Sequence, residues 1–392
     1  MKIRSLQINK LKRRASLVAA NSLNNLIQPA VNVIFSLVVI KLSGTETWGR
    51  FVYYFLWASL ASFIMNWGNK DYLLREFSKL PAEVSSLWRE SFFSRIVLII
   101  PIAAAFFFFF SVFETFLLIQ WTIALFLAQS FDVLIAYHRK FIHSFIIEII
   151  SGVFLLASVF FKAGIDLYII YLLYLTIRAL CFLFLFRKEV FKNFSIKFRF
   201  KLLKISLLFF LLSLTGLLGS RVDQYCVSIF LSKEDLGKYQ VLKSFLLYFQ
   251  AFAGFIIMPY VKNIYRLKEK SVDKIINKLF LTGVIFTPIF IITLYIIMNY
   301  VYLFSFTFGV YFYSALIVLP VYYYAVIVYK LFNINKQNVI IYIMSCYVLI
   351  SLILNIILIP EMSIEGGLLA SVVSGFAAAV FYFIYNKIHF AK

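Results

Sequence analysis

Twelve apolar runs of roughly span length follow one another along this chain, separated by short charged segments. They lie at about 15–41, 50–67, 92–112, 116–137, 144–161, 167–186, 205–231, 239–260, 279–298, 314–332, 339–359 and 366–386. About twenty residues at 1.5 Å each cross the roughly 30 Å hydrocarbon layer. Inside that layer the backbone must satisfy its own N–H and C=O groups, which a helix does within one segment. The pattern predicts an all-α integral membrane protein of twelve transmembrane helices. Long unbroken runs exclude a β-barrel, whose strands read as short alternating segments. With 63% hydrophobic and only 14% charged residues, the chain has too little polar surface to cover a soluble fold. A cytosolic enzyme, a secreted disulfide domain and a disordered chain are thereby excluded. The tightest joins, near Glu114 and Gly164, are read as breaks because long runs flank both. The first run, from Ala15, is too long for a cleavable signal.

The net charge of +21 does not indicate nucleic acid, because the cations sit between the apolar runs. With the N-terminus placed inside, the inner segments hold Lys2 to Arg14, Lys70, Arg75, Lys79, Arg89, Arg139 and Lys140. They also hold the basic stretches 187–204 and 261–278, then Lys336, Lys387 and Lys392. That is 28 of the 38 cations, against Lys162, Lys233 and Lys238 outside. The bias predicts both termini in the cytoplasm and an even number of spans. No outer loop is long enough to fold alone; the longest, near 299–313, has about 15 residues.

Cys181, Cys226 and Cys346 lie in apolar stretches, and no Cys/His cluster has ligand spacing, so neither a disulfide framework nor a metal site is expected. No Gly-x-x-x-x-Gly-Lys loop is present, so the chain is not expected to use ATP. No cofactor is expected beyond a coupling H+ or Na+.

A short repeat divides the chain. Glu46-Thr47-Trp48-Gly49-Arg50-Phe51 ends the first span, and Glu234-Asp235-Leu236-Gly237-Lys238-Tyr239 ends the seventh, 188 residues later. Both read acid, two residues, glycine, cation, aromatic. The expected organisation is a six-helix N-terminal lobe at 1–190, a basic cytoplasmic linker at 191–204 and a six-helix C-terminal lobe at 205–392. Halves of even span number enter the membrane in the same direction, as in transporters built from parallel repeats.

Three stretches carry a resemblance to a known family. The first is Asn21 to Arg75, with Leu42-Ser43-Gly44-Thr45-Glu46-Thr47-Trp48-Gly49-Arg50-Phe51 and the Gly68 to Arg75 segment. The second is Arg221-Val222-Asp223, the Glu234 to Tyr239 motif and Met258-Pro259. The third is Asn355 to Pro360 followed by Gly366-Gly367-Leu368-Leu369-Ala370. Together they resemble the O-antigen and capsular-polysaccharide (Wzx-type) flippases of the multidrug/oligosaccharidyl-lipid/polysaccharide (MOP) exporter superfamily. Glu361 to Gly366 departs from the usual proline-aromatic-glycine turn. The resemblance implies two six-helix lobes of MATE-like fold around a central cavity in a bacterial inner membrane. It implies a non-enzymatic flippase that carries an undecaprenyl-diphosphate-linked oligosaccharide between leaflets. Membrane lipids, a polysaccharide polymerase and a chain-length regulator are the implied partners. Two other functions are weighed. An O-antigen polymerase needs a sizeable outer loop, which is not visible. A cation-coupled multidrug exporter should favour acidic cavities.

Charges inside spans are costly and normally face a wet cavity or a partner. Arg95, Asp132, Glu148 and Arg178 fall in the first half; Arg221, Asp223 and Lys243 fall in the second. They read either as a cavity lining that attracts a diphosphate or as ion pairs between helices. Arg221, Asp223 and Lys243 share a level, so Asp223 pairs with one cation and leaves the other for phosphate. Arginine suits diphosphate better, through its planar fork. Arg95 reads either as a cavity residue or as snorkelling to the interface. Arg50 reads as cavity mouth or interfacial anchor. Asp132 and Glu148 are candidates for H+ or Na+ coupling, against pairing with Arg95 or Arg178. Asn21, Asn25, Gln28 and Asn32 recur on one face of the first span and line a cavity or glue helices. Pro29 removes a backbone hydrogen bond there and is a candidate hinge. Phe106 to Phe110 read as lipid-facing or packed surface; Tyr322 to Tyr324 are better candidates for stacking on sugar.

Overall fold

The computed structural model describes residues 2–161, 166–192, 196–257, 269–334 and 336–390. Side chains are described at 21 and from 24 onward, apart from 269–271 and 389–390. Met258-Pro259, Gly164, Lys162, Lys262, Arg266, Lys268 and Lys392 lie outside the described residues, as do the side chains of the N-terminal cations and Lys270. Among the described residues every regular element is helical.

Ten stretches are long and apolar enough to cross a membrane. The longest, Gln337–Ile388, is two spans joined at Ser363, whose φ of 52° and ψ of −131° break the helix three residues after Pro360. One further helix, Thr45–Asn66, has span length at 22 residues, but Glu46 and Arg50 in its first turns lower its hydropathy. Among the described residues that makes eleven apolar stretches of span length with Thr45–Asn66 as a twelfth helix of that length, and the chain is a multi-pass membrane protein.

The chain divides into two units. Unit 1 comprises Met1–Leu42 and Tyr54–Phe210. Its helices are α1 (Lys2–Ser43), α2 (Thr45–Asn66), α3 (Asn69–Lys79), α4 (Val84–Ile96), α5 (Ile99–Phe109), α6 (Val112–Ser130), α7 (Asp132–His138), α8 (Phe141–Phe160), α9 (Leu167–Leu185) and α10 (Arg187–Phe191). The start of α11 (Lys201–Phe230) completes it. Glu114 is not in the join before the sixth helix but inside its first turn. Its backbone N–H donates to Ser111 Oγ and its carboxylate accepts from the Ser111 N–H at 3.0 Å, a capping box that starts α6.

Helix α3 is too short to span. Trp67 and Gly68, at φ 46° and 63°, turn the chain into it. A Cβ at Gly68 would meet Phe210 N at 2.7 Å, so glycine is required there twice over. The Trp67 indole stacks on Phe210 at 4.2 Å and donates to Leu203 O at 2.9 Å. Tyr72, Leu73 and Phe77 of α3 join Trp88, Phe131 and Leu134 in a buried cluster. Phe106 is buried, whereas Phe107, Phe108 and Phe109 are exposed, as side chains bathed in acyl chains are.

Unit 2 comprises Ser43–Tyr53 and Leu211–Lys392. It contains most of α11, then α12 (Lys233–Ile257), α13 (Glu269–Ile296), a π turn at Ile297–Val301, α14 (Phe308–Asn333) and the broken helix α15 (Gln337–Phe390). The two copies of the repeated hexapeptide meet inside this unit. A Cβ at Gly49 would lie 3.1 Å from Gly237 N, and one at Gly237 would lie 3.2 Å from Gly49 N. Trp48 Nε1 donates to Gln240 Oε1 at 3.1 Å beside this crossing. Tyr322 is fully buried, with its ring against Gly283 and its hydroxyl donating to Phe249 O at 3.1 Å. The sugar-stacking reading therefore does not hold for Tyr322, which is consumed by helix packing.

Candidate functional site: buried charges in each unit

In unit 1 the inward stripe of α9 runs through Ile170, Tyr171, Tyr174, Leu175, Arg178 and Phe182, so helical period alone turns Arg178 inward. The inward stripe of α8 runs through Ser144, Glu148, Ser151, Gly152 and Leu155. A Cβ at Gly152 would meet Val31 Cγ2 at 2.8 Å, so α8 packs close against α1 at that level. These two stripes bring Arg178 Nε to 2.7 Å and Nη2 to 2.6 Å from Glu148 Oε1. Both side chains are about 5% exposed. Of the two readings for Glu148, pairing with Arg178 is what the structure shows. Arg178 also lies 5.7 Å from the Phe182 ring, while its Nη1 has no partner among the described residues.

Asp132 starts α7 half-buried, within electrostatic reach of Lys70, Arg178 and Glu148.

Arg95 does not snorkel. It is 2% exposed, with Nε donating to Ser91 O and Oγ and Nη1 donating to Asn66 Oδ1 at 3.1 Å. Its guanidinium carbon lies 5.1 Å from the Phe126 ring centroid. Asn66 in turn donates to Gln129 Oε1 at 2.6 Å, and Ser62 donates to the same oxygen at 3.1 Å. Amides rather than carboxylates hold this charge, because α2 and α6 present Asn66 and Gln129 at its level. Sequence reading missed both amides; a polar residue at the end of one span and another inside a later one were the available signal.

Asn21, Gln28, Pro29 and Asn32 are half-buried and Asn25 is exposed. Helix α1 runs through Pro29 without interruption.

In unit 2, the cation that pairs with Asp223 is Lys243. The same carboxylate oxygen accepts from Tyr239 Oη at 2.7 Å and Ser371 Oγ at 3.0 Å. Asp223 Oδ1 accepts from the Gln224 N–H at 2.9 Å. Asp223 and Lys243 are 1% and 4% exposed. Two residues apart on α11, Arg221 and Asp223 point about 200° apart, so Arg221 lies on another face, half-buried. Arg50 is 62% exposed and bonded to Glu46 at 2.6 Å, one turn away on the same helix.

Tyr239 and Ser371 were not among the sequence candidates. Tyr239 is the aromatic of the repeated motif, and its hydroxyl finds Asp223 only through tertiary packing. A Cβ at Gly367 would lie 3.3 Å from that hydroxyl, which places the second half of α15 against it. Among the described residues, no cluster of His, Cys, Asp and Glu is arranged to hold a metal ion.

No family model matches the chain, and no curated protein matches it. Solved structures do. A lipid II flippase MurJ in an inward closed conformation superposes with a TM-score of 0.70 at 16% identity, over 94% of this chain and 87% of that one. An outward-facing multidrug resistance MATE transporter of the MOP superfamily superposes with a TM-score of 0.54 at 11% identity, over 96% of this chain and 94% of that one. The chain has the fold these transporters share.

Proposed function

We propose that this chain is a flippase that moves an undecaprenyl-diphosphate-linked oligosaccharide from the cytoplasmic to the periplasmic leaflet of a bacterial inner membrane by alternating access. The observation that carries this reading is the superposition on a lipid II flippase along nearly the whole chain, at a higher TM-score than on the MATE transporter. The chemistry of the embedded charges supports it. Arg95 is buried on amide and hydroxyl acceptors rather than on a carboxylate, a balance suited to an anionic headgroup. The amide face of α1 suits a hydrated sugar. Asp132 is the remaining carboxylate for H+ or Na+ coupling, since Glu148 is engaged by Arg178. Pro29 is the proposed hinge of α1.

The test is genetic and direct. Deleting the gene should trap lipid-linked repeat units on the cytoplasmic leaflet and abolish surface glycan, and normal glycan in a clean deletion would overturn the reading. Arg221→Glu should fail to complement the deletion at wild-type membrane abundance. Drug sensitivity with intact glycan would favour the MATE-like export function instead.

A further inference from the structure

A cleft in unit 1 touches none of the span charges Arg95, Asp132, Glu148 and Arg178. It has a volume of about 570 Å³ and runs between α4, α6 and α9. Its walls are apolar, set by Phe92 and Phe93 of α4, Ile123 and Leu127 of α6, and Leu180 and Leu183 of α9. Trp88 forms a fixed part of the wall, because its indole N–H donates to Ser130 O at 2.9 Å.

One end of the cleft is cationic. Phe191 of α10 lines both this cleft and an adjoining hollow of about 540 Å³, whose other walls are Arg187, Lys188 and Lys192. All three cations are exposed. Arg89, 5% exposed, lines the cleft and holds α10 in place: its Nη1 donates to Glu189 O at 3.0 Å and Lys192 O at 2.6 Å. No carboxylate among the described residues pairs with Arg89, and its buried Nε has no partner there. Of the nearby acids, Glu90 pairs with Arg199 and Glu189 lies beside His138, each at 3.4 Å. An apolar slot thus opens at one end onto Arg187, Lys188 and Lys192, which outnumber Glu189, the acid of the same short helix.

We propose that this cleft binds an anionic glycerophospholipid of the leaflet in which α9 ends. One acyl chain lies in the slot, and the phosphate lies among Arg187, Lys188 and Lys192. An uncharged hydrocarbon would satisfy the walls but not the mouth. A cleft of this volume is of ordinary ligand-pocket size; an acyl chain fills it, whereas a polyprenyl chain several times longer overfills it. Each cation near an anionic lipid surface strengthens binding about five-fold. The site is independent of what the protein transports.

Native mass spectrometry of the full chain in detergent, titrated with phosphatidylglycerol, phosphatidylcholine or undecaprenyl phosphate, tests this. Phosphatidylglycerol should be retained at least tenfold better than phosphatidylcholine. The variant R187A/K188A/K192A should lose that preference, whereas K274A/K278A, which removes exposed cations of unit 2, should keep it. Leu180→Trp, which fills the slot from a 57% exposed position, should weaken phosphatidylglycerol retention without touching a charge. Equal retention of the two phospholipids by the wild-type chain would overturn the proposal. So would unchanged preference in either site variant, or displacement of phosphatidylglycerol by an equal concentration of undecaprenyl phosphate.

Discussion

At the residue scale, the membrane interior turns charges into pairs. Glu148 and Arg178 are both dry, and each is tolerable only while the other is present. Arg178→Met should therefore cost about 3–5 kcal/mol of stability, because it strands a carboxylate. The double variant Arg178→Met/Glu148→Leu should recover most of that loss, since an apolar pair of similar volume is close to neutral. Thermal unfolding in detergent reads both; equal loss in single and double variants would mean that shape, not charge, is at stake. Half of this pairing was legible in the sequence. Arg178 stood among the partners foreseen for Glu148, whereas whether Lys243 or Arg221 would pair with Asp223 was left open. The identity of Tyr239 and Ser371 as donors to Asp223 was not legible, because Ser371 lies 148 residues away and only the packing of α15 delivers it.

At the element scale, the repeated hexapeptide owes its glycines to a crossing of helix starts. The sequence showed the repeat and its offset, but a motif seen twice does not say that its two copies touch. They do, and the contact is tight: a Cβ at Gly49 would lie 1.5 Å from Lys233 O, and one at Gly237 would lie 2.7 Å from Thr45 O. Both atoms are backbone, so neither can swing away. Gly49→Ala and Gly237→Ala should each destabilise the protein by about 1–3 kcal/mol, Gly49→Ala the more. Gly216→Ala and Gly254→Ala, where nothing lies within 4 Å, should be neutral or stabilise by about 0.5–1 kcal/mol through helix propensity. Melting temperatures of the four variants decide between them. If all four behave alike, helix propensity rather than the crossing governs these positions. The breaks in α15 and at Trp67-Gly68 show the limit of periodicity. Pro360 and Gly68 hinted at them, yet the bend at Ser363 depends on left-handed backbone that no apolar pattern reveals.

At the scale of the whole molecule, the apolar runs made the span count legible because hydrocarbon thickness leaves little choice of helix length. Orientation rests on a different quantity, the charge bias of the connections. Anionic lipid headgroups and the membrane potential both favour cations on the cytoplasmic side, and 28 against three is a bias no single loop can reverse. Twelve spans then return the chain to its starting side, so Lys188 and Lys336 should face the cytoplasm and Ser305 the opposite side. In a background with Cys181, Cys226 and Cys346 replaced by alanine, a membrane-impermeant maleimide should label Ser305→Cys in intact cells. It should label Lys188→Cys and Lys336→Cys only after permeabilisation. The reversed pattern would overturn the orientation. Labelling of Lys188→Cys and Lys336→Cys from opposite sides would mean an odd number of crossings between them, and would therefore count against one of the helices assigned here as a span.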